Sequence, residues 1–205
     1  MLRGAAALTG LLWLAASGSA DAETSVSGRV SVAIGRLTLA DVAPVVVYLE
    51  GLDGQRVAKA ALPATLRQHG ARFEPSFLVV SAGQAVVMPN DDTIFHNVFS
   101  YSKPNDFDLG LYRAGESKVL RFDHAGPVRL YCSIHDQMNG LIFVAPSPLF
   151  AVVSAAGDFR IAAPAGRHRV HVWSERLPEL VQEVSLAPGA ELELSLTFGA
   201  DTRPR

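Results

Sequence analysis

The chain has 205 residues and a mass of 21.8 kDa, enough for one large or two small domains with a buried core. With 49% hydrophobic and 19% charged residues, its composition excludes a disordered chain. A formal net charge of −2 excludes a strong field toward nucleic acid or an anionic membrane.

The N-terminus has a short basic start at Arg3, then a mostly apolar run over residues 4–16 that includes Leu8, Leu11, Leu12, Trp13 and Leu14. Small residues follow, and Ala20, Asp21 and Ala22 fit an A-x-A cleavage pattern, so residues 1–22 are expected to be a secretory signal peptide. The apolar run falls short of the ~20 residues that a membrane span needs. No cysteine lies nearby for lipidation, and a lone Arg3 does not make a twin-arginine signal. Cleavage removes Arg3 and Asp21, one charge of each sign, so the mature chain keeps a net charge of −2. The expected product is periplasmic or secreted, with no membrane span after cleavage.

Beyond the leader, Val26, Gly28, Val30, Val32 and Ile34 alternate with small or polar residues, and so do Leu192, Leu194, Leu196 and Phe198. Residues 45–49 and 77–80 are unbroken apolar runs rich in β-branched side chains. Turn-forming Gly, Pro, Asn and Asp recur at 52–54, 82–83, 89–92, 125–127, 156–158 and 188–189. No segment sustains a helical period over three turns, so an all-β sandwich or barrel is predicted. The texture changes along the chain. Residues 23–62 are strand-like, whereas 63–146 hold Cys132, Met88, Met138 and four of the six histidines. A Pro-Ser-Pro connector at 146–148 leads into renewed alternation over 149–200, and residues 200–205 read as a frayed tail.

Exported proteins use cysteines mostly in disulfide pairs, so the single Cys132 needs burial, a partner chain or a bound group. It lies in the stretch 128–144, VRLYCSIHDQMNGLIFV, where alternation through Val128, Leu130 and Cys132 points the thiol to the inner face of a strand. A tight loop follows, and 141–144 begin another strand. Cys132, His135 and Met138 thus stand at C-x2-H-x2-M in one hairpin-like loop. A soft thiolate, an imidazole and a thioether suit copper cycling between Cu(I) and Cu(II). The best further ligand is His96, just after the 89–93 turn, which shares strand parity with Ile94 and Val98. Two histidines, a cysteine and a weak axial methionine make the trigonal site of blue-copper proteins.

The same region resembles the cupredoxins, notably plastocyanin, amicyanin and pseudoazurin. Phe73-Glu74-Pro75 before a strand, the Pro89-Asn90-Asp91 turn, His96-Asn97-Val98, Gly115-Glu116, and Phe122 through Gly126 before Tyr131-Cys132 occur in the family's order. The spacing from His135 to Met138 is amicyanin-like. The likeness covers residues 66–145, and the whole chain is also similar to larger proteins labelled methylamine-utilisation or plastocyanin-like. It implies a Greek-key sandwich with one type 1 copper: Cys132 as the short bond, His96 as the buried ligand, His135 as the partly exposed one that passes electrons, and Met138 as the distant axial ligand. Asn97 matches the residue that ties the two ligand loops together.

Other chemistry finds less support. Structural zinc wants more Cys or His ligands, a dinuclear copper centre lacks its second cysteine, and no H-x-H pairs are present. His168 and His171, three apart on a presumed strand, are placed on opposite faces and expected at the surface. His69 in a presumed strand and His124 in a turn have no evident partner. The flanks resemble a transthyretin-like (carboxypeptidase regulatory-like) sandwich, through Ser27-Gly28-Arg29-Val30, residues 45–51, 156–161 and 164–173. The expected organisation is a copper domain at 63–146 inserted into a second small β-sandwich built from 23–62 and 147–205. The alternative is a separate C-terminal domain at 149–205.

The function expected is one-electron relay rather than enzymatic turnover. A c-type cytochrome, a dehydrogenase or an oxidase would dock near His135, on a patch of Ile134 and Phe99 ringed by Asp136 and Gln137. The alternative is a periplasmic copper-binding carrier or assembly protein without relay, although its ligands are ordinarily held on open, flexible sequence. A third is a structural module whose second sandwich carries the function.

Overall fold

A computed structural model describes residues 24–53 and 62–199; the expected signal peptide and the expected tail lie outside the described residues. Strand β1 (Ser25–Val32) leads through one helical turn, α1 (Leu39–Val42), to β2 (Val45–Gly51). Next come β3 (Ala64–Thr65), β4 (Arg67–Gln68), β5 (Phe73–Glu74), β6 (Phe77–Ser81), β7 (Gln84–Pro89), β8 (His96–Ser100), β9 (Phe107–Tyr112), β10 (Ser117–Phe122), β11 (Gly126–Tyr131) and β12 (Asn139–Ala145). The rest are β13 (Phe150–Val152), β14 (Asp158–Ala162), β15 (Gly166–Ser174), β16 (Leu180–Leu186) and β17 (Glu191–Phe198). The molecule is all-β, as the period-two alternation predicts.

Strands β3 to β12 form a five-stranded sheet, β6-β12-β11-β8-β9, a three-stranded sheet, β10-β7-β3, and the small β4-β5 pair. Their shared core includes Leu66, Phe73, Val80, Val86, Met88, Val98, Phe122, Val128, Leu130 and Ile142. The flanking strands form two other sheets, β14-β1-β17 and β13-β2-β15-β16, around Val26, Val47, Leu49, Ile161, Val172 and Phe198. In each of these, an N-terminal strand is hydrogen-bonded on both sides by C-terminal ones: β1 by β14 and β17, β2 by β13 and β15. The β1–β17 approach is close. A Cβ on Gly28 would fall 2.0 Å from the Leu194 carbonyl oxygen.

The unbroken apolar runs have a physical cause in a third core, where the two sandwiches meet. Along β2, Val45, Val47 and Leu49 enter the flank core, while Val46 and Tyr48 face Phe143 and Ala145 of β12. Along β12, Ile142 and Val144 enter the central core from the opposite face. Strands covered on both faces lose the polar half of their alternation. Phe143 stacks on Trp173 with ring centroids 4.2 Å apart.

This joint also corrects the expected surface placement of two histidines. His168 and His171 do lie on opposite faces of β15, but both are largely withdrawn from water. His168 is 1% exposed and its Nε2 is 2.8 Å from the Pro164 carbonyl oxygen. His171 stacks on Tyr48, centroids 4.6 Å apart, with its side chain 12% exposed.

Candidate metal centre

The site begins with the alternation of β11. Val128 and Leu130 are buried, Arg129 and Tyr131 point outward, and Cys132 continues the inward series at 5% exposure, just past the strand end. The chain then folds back on itself. The Met138 amide donates to the His135 carbonyl at 2.9 Å, and the Cys132 amide donates to the Met138 carbonyl at 3.2 Å. These two bonds close the loop and return the chain to β12, which pairs with β11. Within it, Cys132 Sγ lies 3.6 Å from His135 Nδ1.

His96 opens β8, next to β11 in the sheet, and is fully buried. Simple strand parity does not describe how the chain runs into β8. Ile94 is 46% exposed and precedes the strand, while His96, Asn97 and Val98 are buried in succession beside a register irregularity against β9. The irregularity turns neighbouring side chains inward together. His96 Nδ1 lies 3.9 Å from Cys132 Sγ and 3.1 Å from His135 Nδ1. Among the described residues, His96, Cys132 and His135 are the group of His, Cys, Asp and Glu that gathers its donor atoms within 4.8 Å.

These separations fit a metal ion. Bonds of about 2.0 Å to nitrogen and 2.3 Å to sulfur, set about 120° apart, hold two nitrogens ~3.5 Å apart and nitrogen and sulfur ~3.7 Å apart. The observed triangle of 3.1, 3.6 and 3.9 Å lies within a few tenths of an ångström of that. One thiolate and two imidazoles are the donor set of copper. Met138 is 1% exposed and packs in the core that holds Cys132.

Asn97 joins the two ligand segments. Its Oδ1 accepts from the Ser133 amide at 2.7 Å and from the Ser133 hydroxyl at 2.9 Å, and its Nδ2 donates to Asp108 at 3.2 Å. Asp92, which the sequence reading passed over, lies 2.7 Å from His96 Nε2 through Oδ2. The same carboxylate accepts the amides of Gly70 at 2.6 Å and Ala71 at 2.9 Å. Burial pushes the acidity of Asp92 toward neutral, but the two amides and His96 outweigh it and hold the carboxyl below its usual range. The one sequence feature that marks it is its place in a Pro-Asn-Asp-Asp turn, four residues ahead of His96.

At the surface, His135 is half-buried, Ile134 is 49% exposed and Phe99 is half-buried. Ile94 and Phe95, at 46% and 54% exposure, are further exposed apolar side chains on the segment leading to His96. A groove flanking Cys132 is lined by Phe99, Tyr101, Arg129 and Tyr131. His69, expected in a strand without a partner, lies in the turn after β4 with its Nδ1 3.9 Å from Asp92.

No protein-family model matches the chain, and no curated protein does. Solved structures do. A purple cupredoxin from Nitrosopumilus maritimus is 26% identical over 40% of this chain and 99% of its own, with a TM-score of 0.36. A reduced amicyanin variant is 22% identical over 42% of this chain and 84% of its own, with a TM-score of 0.39. A copper-containing nitrite reductase from Thermus scotoductus is 24% identical over 55% of this chain but only 28% of its own, also at 0.39. These three likenesses cover 40–55% of this chain.

Proposed function

We propose that this protein is a type 1 copper protein that carries single electrons between exported redox partners. The observation that supports the reading is the triangle of His96 Nδ1, Cys132 Sγ and His135 Nδ1, with His96 and Cys132 buried and His135 half-buried. A bound copper ion would supply a one-electron couple, held by His96, Cys132 and His135, and Met138, buried in the core that holds Cys132, would offer a further soft donor. The residues of the chain do the rest. Strand β8 holds His96, the closed 132–138 loop after the neighbouring β11 holds Cys132 and His135, and Asn97 locks one segment to the other. Donors held this way suit both copper states with little rearrangement, the requirement for fast relay.

His135 is the port in this reading, with Ile134 and Phe99 as the apolar ground for a c-type cytochrome, a dehydrogenase or an oxidase. The copper unit at 63–146 is an insertion in the flank sandwich of 23–62 and 147–205, a division supported by strands β1 and β2 being central in sheets otherwise made of C-terminal strands. Residues 1–22 direct export. No helix among the described residues is long and apolar enough to cross a membrane.

The experiment is stopped-flow oxidation of the reduced, copper-loaded protein by a small c-type cytochrome. Second-order transfer that is lost in Cys132→Ser supports relay. Tight copper binding with no transfer on the seconds scale supports a carrier or assembly protein.

A further inference from the structure

Asp92 is joined to both the buried ligand and the surface. Its carboxylate accepts the Gly70 and Ala71 amides, which have only hydrogen to offer, and Oδ2 lies 2.7 Å from His96 Nε2. A carboxylate held by two amides accepts again from the ring, so Nε2 carries the hydrogen and Nδ1 presents its lone pair. That lone pair is the one facing Cys132 Sγ and His135 Nδ1. In the copper-free protein the 3.1 Å contact between the two Nδ1 atoms then takes its hydrogen from His135.

The clamp also reaches the outside. Gly70 and Ala71 form the tip of a turn closed by His69 and Arg72, whose amides and carbonyls bond reciprocally at 3.0 and 3.2 Å. Both tip residues have left-handed backbone, φ 60° and φ 53°. For alanine that conformation is strained, and it persists where neighbours hold it, here the Asp92 carboxylate. The tip and Arg72 line one side of a crevice whose other side is His135, Asp136 and Gln137.

We propose that Asp92 is a positioning residue of the copper centre: it fixes the His96 tautomer that turns Nδ1 to the metal, its negative charge lowers the reduction potential, and it couples the 69–72 turn to the buried ligand. This rests on the copper reading above. An anion hydrogen-bonded to the ligand's far nitrogen makes the ring a better donor and favours Cu(II) over Cu(I).

Two measurements test it. In the copper-loaded protein, Asp92→Asn shifts the Cu(I)/Cu(II) equilibrium about tenfold toward Cu(I), a rise of about 59 mV for a one-electron couple. A potential that is unchanged or lower in the folded variant overturns the proposal, because a carboxylate that only braced the turn leaves the potential where it was. The second uses the copper-free wild-type protein and needs no variant to fold. Its ¹⁵N–¹H spectra show His96 with hydrogen on Nε2 and a bare Nδ1; hydrogen on Nδ1 overturns the proposal. The tautomer is read without metal, so a failure of the copper reading and a failure of this one are told apart.

Discussion

The side-chain carbonyl of Asn97, on β8, takes both hydrogens that Ser133 offers, from the amide at 2.7 Å and the hydroxyl at 2.9 Å. It thereby couples the strand that carries His96 to the loop that carries Cys132 and His135. Asn97 is 3% exposed, so water does not take over these bonds when the side chain is cut back. Asn97→Ala is expected to cost about 1–3 kcal/mol of stability in the copper-free protein. Copper affinity should fall about 10–100-fold. Denaturant melts and competitive copper titration check the two numbers, and an unaltered affinity removes Asn97 from the support of the site.

Met138 is the weakest of the proposed donors and the one whose replacement changes the couple most selectively. Met138→Gln should retain copper and lower its reduction potential, because an oxygen donor favours Cu(II). Voltammetry on the two proteins decides; equal potentials mean that Met138 is not axial.

The joint between the sandwiches should be separable from the metal centre. Phe143 is 3% exposed and stacks on Trp173, yet it points away from the central core that holds Cys132. Phe143→Ala is expected to cost about 3–5 kcal/mol while leaving the visible spectrum of the copper-loaded protein unchanged. Chemical denaturation gives the first and absorption the second; a bleached spectrum shows that the joint shapes the site.

Alkaline pH acts on the same joint. Burial, then the hydrogen bond to Glu179, raises the Tyr48 hydroxyl far above its ordinary value of 10.0. The unfolded chain therefore gives up this proton first. The stability from a protonated Tyr48 is complete below pH 10.0 and is lost as pH rises through the raised folded value. Denaturant midpoints should fall above about pH 10 in the wild-type protein, and less steeply in Tyr48→Phe. Parallel curves for the two contradict it.

Much of this was legible in the residues because alternation and ligand spacing are local. Val128, Leu130 and Cys132 alternate, and C-x2-H-x2-M needs only one short loop to bring its members together. His96 was found by the company it keeps, although a register irregularity, not plain parity, buries it. What stayed hidden depends on contacts across the fold. The burial of His168 and His171 follows from sheets packing on both faces of β15, which no period along that strand reveals. Asp92 reads as one more turn residue until the 70–71 amides and His96 are seen to meet at its carboxylate. Ile94 shares parity with His96 and by alternation alone faces inward, yet it precedes the strand and is exposed.

The most direct measurement is the visible and EPR spectrum of the mature protein, wild-type and Cys132→Ser, after addition of one equivalent of Cu(II). An intense blue charge-transfer band with small copper hyperfine splitting in the wild-type protein, absent in Cys132→Ser, is the predicted result. A pale spectrum with ordinary splitting, the same in both proteins, contradicts thiolate ligation by Cys132 and with it the relay.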